Sequence, residues 1–122
     1  MAEPTSRPLT SGDRDAALAV INTAARWYRD FLPPEEVHEP EMPPAQWEAE
    51  ARRLTWYGIF EGGALLAVGG LEYAGDAALL RHGYVLPEHQ RRGIGALLRE
   101  HLETQVRGVS RIIVGTYAGN YR

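Results

Sequence analysis

The sequence predicts an α/β (α+β) domain with a mixed, mostly antiparallel sheet of about five strands, flanked by three helices. Two patterns carry this prediction. Between Thr55 and Val85, apolar strands alternate with glycine-containing turns, which favours antiparallel hairpins. Nearer the C-terminus, a strand, a helix and a second strand follow one another, and a right-handed crossover would make these two strands parallel. The chain of 122 residues is long enough for one core, so we expect residues 1–122 to form a single domain.

The first half of the chain predicts a short strand and two helices. Residues 5–9 suit an edge strand because they include a proline, which cannot donate to a neighbouring strand. Thr10 or Ser11 is expected to cap a helix that runs to about Asp30. A second helix is expected to begin at Pro44. Residues at helical spacing predict the buried faces, which are Ala17, Val20, Ile21, Ala24, Trp27, Tyr28 and Phe31 in the first helix and Trp47, Ala51 and Leu54 in the second.

The second half predicts four strands and one helix. Strands are expected at residues 56–60, 64–73 and 77–85, with turns between them. Gly83 lies inside the third of these strands and indicates a bulge or a splay, where pairing with a neighbour is relaxed. A third helix is expected from Ile94 to about Val106, followed by a short apolar strand at residues 112–114.

Composition excludes several classes of function. The net charge of −3 leaves no basic surplus to neutralise phosphates, so nucleic acid is not expected as a partner. The chain has no cysteine and therefore no disulfide, thiolate metal site or cysteine nucleophile. His89 and His101 have no carboxylate or histidine at ligand spacing, so no metal is expected. The longest apolar run, residues 64–71, is too short to span a bilayer, and the first four residues do not resemble a signal peptide. We therefore expect a cytoplasmic protein without a membrane partner.

A turn rich in glycine and arginine connects the third predicted strand of this half to the third helix. We call residues 90–96 the glycine turn. The first backbone N–H groups of a helix lack partners within it, and they attract anions together with the helix dipole. Gly93 and Gly95 remove the Cβ atoms that would keep a phosphate away from the backbone, and Arg91 and Arg92 add positive charge. The turn therefore predicts a pyrophosphate site. It is not a P-loop, since the chain has no lysine, nor a dinucleotide fingerprint, since Leu98 stands where a third glycine is needed.

The pattern Gln90-x-x-Gly93-x-Gly95, preceded by Val-x-Pro, resembles the acetyl-CoA-binding motif of the GCN5-related N-acetyltransferases (GNAT superfamily). The predicted order of elements is similar to that of the family over nearly the whole chain. The resemblance implies a GNAT-like sheet with a splay between strands 4 and 5. The family normally continues past its fifth strand with a helix and two strands. We therefore expect either a truncated form or a homodimer in which another copy completes the sheet.

The resemblance also implies acetyl-CoA as cosubstrate and assigns residues to it. Backbone N–H groups of the glycine turn would hold the pyrophosphate, and the pantetheine arm would lie along the edge of the fourth strand. A backbone N–H near the end of that strand would stabilise the oxyanion. The cofactor-binding residues implied in this way are Gly83, Tyr84, Val85, Gln90, Arg91, Arg92, Gly93, Ile94, Gly95, Ala96 and Asn120.

A base or a water relay must remove a proton from the attacking amine. The candidates are Glu72 and Tyr73 on the third strand and His82 on the fourth, although a solvated glutamate or a half-buried histidine would also suit these positions. Some family members carry a glutamate on the fifth strand, where this sequence has Gly115. The tyrosine that often acts as general acid in the family would lie past residue 122. The acidic run of residues 35–41 could attract a cationic amine, or it could be a solvated loop.

These observations predict an acetyl-CoA-dependent N-acetyltransferase that acts on a primary amine by direct attack in a ternary complex. Two alternatives remain open. One is a non-catalytic module that binds or senses acyl-CoA, and the other is a domain that dimerises through its free sheet edge. The sequence does not identify the acceptor amine: an amino sugar, a polyamine, a peptide N-terminus and a drug-like amine all fit.

Overall fold

A computed structural model describes residues 3–28, 42–90 and 92–115, and for residues 28, 82, 114 and 115 it describes the backbone only. The sheet of the described residues has the order β1-β2-β3-β4-β5, in which only β4 and β5 are parallel. The mixed, mostly antiparallel fold class is therefore confirmed. The elements are β1 (Thr5–Pro8), a 3-10 turn (Ser11–Asp13), α1 (Arg14–Tyr28), α2 (Pro44–Glu50), β2 (Leu54–Glu61), β3 (Ala64–Ala74), β4 (Ala77–Val85), a 3-10 turn (Pro87–His89), α3 (Ile94–Gln105) and β5 (Arg111–Gly115).

The bulge predicted at Gly83 is present in β4. Tyr84 pairs with Val68 of β3, but Arg81 pairs with Gly70, so two residues of β4 stand opposite one residue of β3. These two residues of β4 are at positions 82 and 83. A bulge of this kind bends the strand and disturbs its hydrogen bonds.

β4 continues past the end of its described pairing with β5. The parallel pairs run from Ala77–Arg111 to Arg81–Gly115. In the described part of the chain, residues 82–85 have β3 on one side and no strand on the other. This is the position at which the sequence predicted a splay between strands 4 and 5.

The first helix buries most of the predicted face. Thr10 caps the 3-10 turn that leads directly into α1, and its side chain accepts a hydrogen bond from the N–H of Gly12 at 3.2 Å. The buried members are Ala17, Val20, Ile21 and Ala24. Trp27 was wrongly predicted as buried, since 42% of its surface is exposed. At 100° per residue it lies about 70° from the centre of the stripe formed by positions 17, 20, 21 and 24, at the edge of the buried face. The side chains of Tyr28 and Phe31 lie outside the described residues.

The second helix is shorter than predicted. It ends at Glu50, Ala51 is exposed, and Leu54 begins β2 and is buried there. The prediction that Trp47, Ala51 and Leu54 line one helical face is therefore correct only for Trp47. The helical spacing gave a wrong prediction because Leu54 packs into the same core as Trp47 but belongs to a strand. Trp47 itself is buried and stacks on Trp56 with ring centroids 5.6 Å apart.

The third helix packs closely on the opposite face of the sheet. Ile94, Leu98 and Leu102 are its buried residues. A Cβ atom on Gly69 of β3 would lie 3.1 Å from Leu98 and 3.2 Å from Leu102, so the glycine allows the close approach. Because Ile94 is buried, this packing fixes the N-terminus of α3 beside the end of β4. Among the described residues, no helix is long and apolar enough to cross a membrane.

Candidate functional site

The N-terminus of α3 is open to an anion. Its N-cap residue, Gly93, has a φ of +79°, a left-handed conformation that disfavours residues with a Cβ atom. The first helical hydrogen bond runs from the N–H of Leu97 to the carbonyl of Gly93 at 3.0 Å. The N–H groups of residues 94–96 precede this bond, and no N-cap side chain accepts from them. These donors and the helix dipole are the groups that the sequence predicted would bind an anion, and this anion site remains a prediction.

Among the described residues, no side chain fills the surface next to these donors. A Cβ atom on Gly93 would have no neighbour within 4 Å, and one on Gly95 would meet only Val85, at 3.6 Å. Gly93, Gly95 and Ala96 are all exposed, and the first turn of α3 has no acidic residue. A phosphate could therefore approach the backbone without meeting a carboxylate or another side chain of the described part of the chain.

The end of β4 directs backbone groups toward its open side. The N–H of Leu86 donates to the carbonyl of Leu66 on β3 at 2.9 Å. Successive N–H groups of a strand point in opposite directions, so the N–H of Val85 points away from β3. The side-chain amide of Gln90 lies on this open side, where it donates to the Val85 carbonyl at 3.3 Å. The structure thus places Gln90, Val85 and Gly95 close together.

Arg92 contacts protein groups on the neighbouring hairpin. Its guanidinium donates to the two carboxylate oxygens of Glu61 at 2.8 and 3.5 Å. It also lies 2.6 Å from Nδ1 of His89. The hydrogen bond from Arg92 lowers the pKa of Glu61, which ends β2. Sequence reasoning missed Glu61, because nothing in the local pattern links positions 61 and 92.

Glu72 belongs to a cluster of charges on the α1 and α2 side of the sheet. Its carboxylate accepts a hydrogen bond from Arg81 at 2.6 Å and lies 3.6 Å from Nε of Arg53. Arg53 in turn lies 3.7 Å from the carboxylate of Glu50. Only 15% of the Glu72 side chain is exposed. The Glu72 carboxylate is therefore already engaged by two arginine side chains.

Tyr73 lies far from the glycine turn. Its hydroxyl accepts from the N–H of Arg107 at 3.1 Å and lies 3.4 Å from the carbonyl of Gln105, so it contacts the C-terminal end of α3. The glycine turn is at the other end of this helix of 12 residues, about 18 Å away at 1.5 Å per residue. The structure therefore does not bring Tyr73 to the anion site.

Other predicted site residues lie outside the described part of the chain. These are Arg91, Asn120, the side chain of His82 and the acidic run up to Glu41. For His82 the structure gives the backbone, which lies at the bulge of β4 next to Gly83.

A cleft of about 430 Å³ lies away from the glycine turn. It is formed where the end of β1 and the start of α1 meet α2 and the start of β2, and its lining includes Arg14, Trp47 and Trp56. α3 and the end of β4 contribute nothing to it. The cleft is therefore a feature separate from the anion site.

The model of the acetyltransferase (GNAT) family matches residues 21–122, most of the chain. The chain belongs to the GNAT acetyltransferase family. A comparison with curated proteins found no match. Among solved structures, the GNAT chain resembles the PaiA N-acetyltransferase of Thermoplasma acidophilum in complex with coenzyme A, with 18% identity and a TM-score of 0.71. The similarity covers 84% of this chain and 70% of that one.

Two further structures share this fold. The ribosomal-protein-S18-alanine N-acetyltransferase of Escherichia coli has 22% identity and a TM-score of 0.66, covering 84% of this chain and 59% of that one. An aminoglycoside N-acetyltransferase in complex with CoA has 12% identity and a TM-score of 0.68, covering 98% of this chain and 81% of that one. At these identities the likeness shows the GNAT fold alone.

Proposed function

We propose that this GNAT domain is an acetyl-CoA-dependent N-acetyltransferase that acts on a primary amine. The observation that carries the proposal is the N-terminus of α3 beside the end of β4, which within the described residues has no strand on its second side. One provides donors for a pyrophosphate, and the other provides a strand edge for an extended arm. The PaiA structure, named as a complex with coenzyme A, supports this choice of ligand.

In the proposed complex, the N–H groups of residues 94–96 bind the pyrophosphate. The pantetheine arm lies along the open edge of residues 83–85, where the described pairing with β5 has ended. The N–H of Val85 points to this side and would donate to the thioester carbonyl. Because that oxygen becomes more negative during attack, the donor stabilises the transition state more than the ground state.

The reaction needs no covalent intermediate on the protein. The amine nitrogen forms a bond to the acetyl carbon, and the bond from that carbon to sulfur breaks. The ammonium loses one proton before attack, and the nitrogen loses a second proton as the amide forms. The thiolate takes up one proton, so the sum is an amide, free CoA and one released proton. The chain's part is to bind and orient the thioester and to accept the proton.

We favour His82 as the base, with Glu72 second and Tyr73 third. The backbone of His82 lies at the bulge where the open edge of β4 begins. An imidazole has a reference pKa near 6.5, which suits proton transfer at neutral pH. Glu72 would first have to be released from Arg81, and Tyr73 lies at the wrong end of α3.

Calorimetric titration of the purified chain with acetyl-CoA, with 3′-dephospho-CoA as a comparison, tests the binding part. We expect micromolar affinity for acetyl-CoA. A screen of amines for released CoA then tests turnover. Alanine-containing peptides and aminoglycosides are the first two classes, since two of the similar structures are named for a ribosomal-protein alanine and for an aminoglycoside. Absence of binding would contradict the proposal.

A second candidate is a non-catalytic module that binds or senses acyl-CoA. Two observations favour it: Glu72 is engaged by arginines, and Gly115 occupies the fifth-strand position at which some relatives carry a glutamate. This module would be favoured if the parent chain binds acetyl-CoA but releases no CoA with any amine, and if His82→Gln behaves in the same way. The cytoplasmic location, the homodimer and the absence of a metal remain predictions.

A further inference from the structure

The guanidinium of Arg92 contacts two elements that flank the glycine turn. Two hydrogen bonds go to Glu61, and Nη1 lies 2.6 Å from Nδ1 of His89. A guanidinium has donors only, so Nδ1 of His89 is the acceptor in this contact. The guanidinium is therefore fixed between the β2–β3 hairpin and the 3-10 turn that precedes the glycine turn.

Glu61 is carried by a short and well-defined hairpin. It pairs with Ala64 across a two-residue turn of Gly62 and Gly63, whose φ angles are +59° and +86°. Two consecutive residues with positive φ match the type of turn that joins strands most tightly. Glu61 is thus a firm anchor, and its side chain is 26% exposed.

Arg92 directly precedes Gly93, the N-cap of α3. A fixed Arg92 therefore restrains Gly93, and the direction of the first N–H groups of α3 depends on the conformation of Gly93. We propose that Glu61 is a positioning residue that holds the glycine turn through Arg92 in the conformation that binds acetyl-CoA. The identity of the ligand rests on the function proposed above. The opposite hypothesis is that Arg92 itself binds a phosphate of the cosubstrate, and that its ion pair with Glu61 competes with this binding.

The two hypotheses predict opposite signs for Glu61→Gln. This change removes a negative charge near an anion site, so simple electrostatics or release of Arg92 would tighten binding. If Glu61 positions the turn, acetyl-CoA binding weakens about threefold to tenfold, because the competent conformation is populated less. Arg92→Gln weakens binding at least as much. The double variant is expected to bind acetyl-CoA no more weakly than Arg92→Gln, since both changes break the same contact.

The matched control is Glu48→Gln, which breaks the ion pair with Arg14 on the opposite side of the sheet from α3. Its affinity for acetyl-CoA is expected to equal that of the parent chain. All variants are compared by calorimetric titration, after thermal unfolding has shown equal stability. Unchanged or tighter binding by Glu61→Gln would overturn the proposal.

Hydrogen exchange of the ligand-free chain separates this proposal from the proposed function. The positioning role predicts faster exchange of the Leu97 amide, whose hydrogen bond to the Gly93 carbonyl closes the first turn of α3, in Glu61→Gln, and unchanged exchange in Glu48→Gln. If the parent chain binds no acetyl-CoA, the proposed function fails, while faster exchange still supports the restraint by Glu61. Unchanged exchange overturns the restraint whether or not the parent chain binds.

Discussion

Gly95→Glu should abolish or strongly weaken acetyl-CoA binding without destabilising the fold. Gly95 is exposed in the first turn of α3, and its Cβ position meets only Val85, at ordinary contact distance. Replacing a glycine inside a helix by glutamate gains about 0.5 kcal/mol of helix propensity. A carboxylate near the helix N-terminus adds about 0.3–1 kcal/mol. The variant is therefore expected to unfold at a temperature equal to or a few degrees above that of the parent chain.

The same carboxylate opposes a bound phosphate. Two unit charges about 6 Å apart repel by roughly 0.7 kcal/mol in water and roughly 3 kcal/mol at an effective dielectric constant of 20. This corresponds to a loss of affinity between about threefold and about 100-fold. The carboxylate can also accept from the N–H groups that the phosphate needs, so the loss should lie toward the upper value.

Gly95→Gln and Gly95→Ala separate charge from size. Glutamine has the length of glutamate without the charge, and alanine adds only the Cβ atom that the structure accommodates. We expect near-parental binding for alanine, an intermediate loss for glutamine and the largest loss for glutamate, measured by calorimetric titration beside thermal unfolding. Parental affinity in Gly95→Glu would refute the anion site at α3. Equal losses for all three variants would show that charge is not the cause.

Three further predictions concern stability. Gly69→Ala places a Cβ atom 3.1–3.2 Å from two leucines of α3 and should lower the free energy of unfolding in urea by about 1–2 kcal/mol. An unchanged value would contradict the close packing of α3. Ile59→Ala empties a fully buried position and should cost about 2–5 kcal/mol in the same measurement, with a cost below 1 kcal/mol arguing against this core. The hydrogen bond from Arg7 holds the pKa of Asp13 well below its usual range. Because the pKa is lower in the folded state, the stabilisation is complete above about pH 4 and is lost as the pH falls below that value. The stability difference between the parent chain and Asp13→Asn should therefore be present at pH 7 and reduced at pH 3, and a constant difference would refute the assignment.

The parts of the fold that depend on local pattern could be predicted from the sequence. The glycine of the β4 bulge and the buried stripe of α1 follow from rules that act over a few residues. The errors occurred where tertiary packing decided between two local solutions. Leu54 continues the helical spacing of Trp47, but it is a buried residue of a strand. Trp27 continues the spacing of the buried stripe of α1, but it lies at the edge of the stripe and is exposed.

The same distinction separates the two halves of the candidate site. The proposed anion site consists of backbone N–H groups, a left-handed glycine and a helix dipole that are close together in the chain, so a short motif is enough to predict where it would lie. The contacts of Glu72 with Arg81 and Arg53, and the contact of Arg92 with Glu61, join residues that are not neighbours in the sequence, and only the folded chain brings them together. A sequence pattern therefore predicts the place of a proposed cosubstrate more readily than the side chain that would move the proton. For this chain, the side chains around the open edge of β4 are where experiment will add most to the sequence.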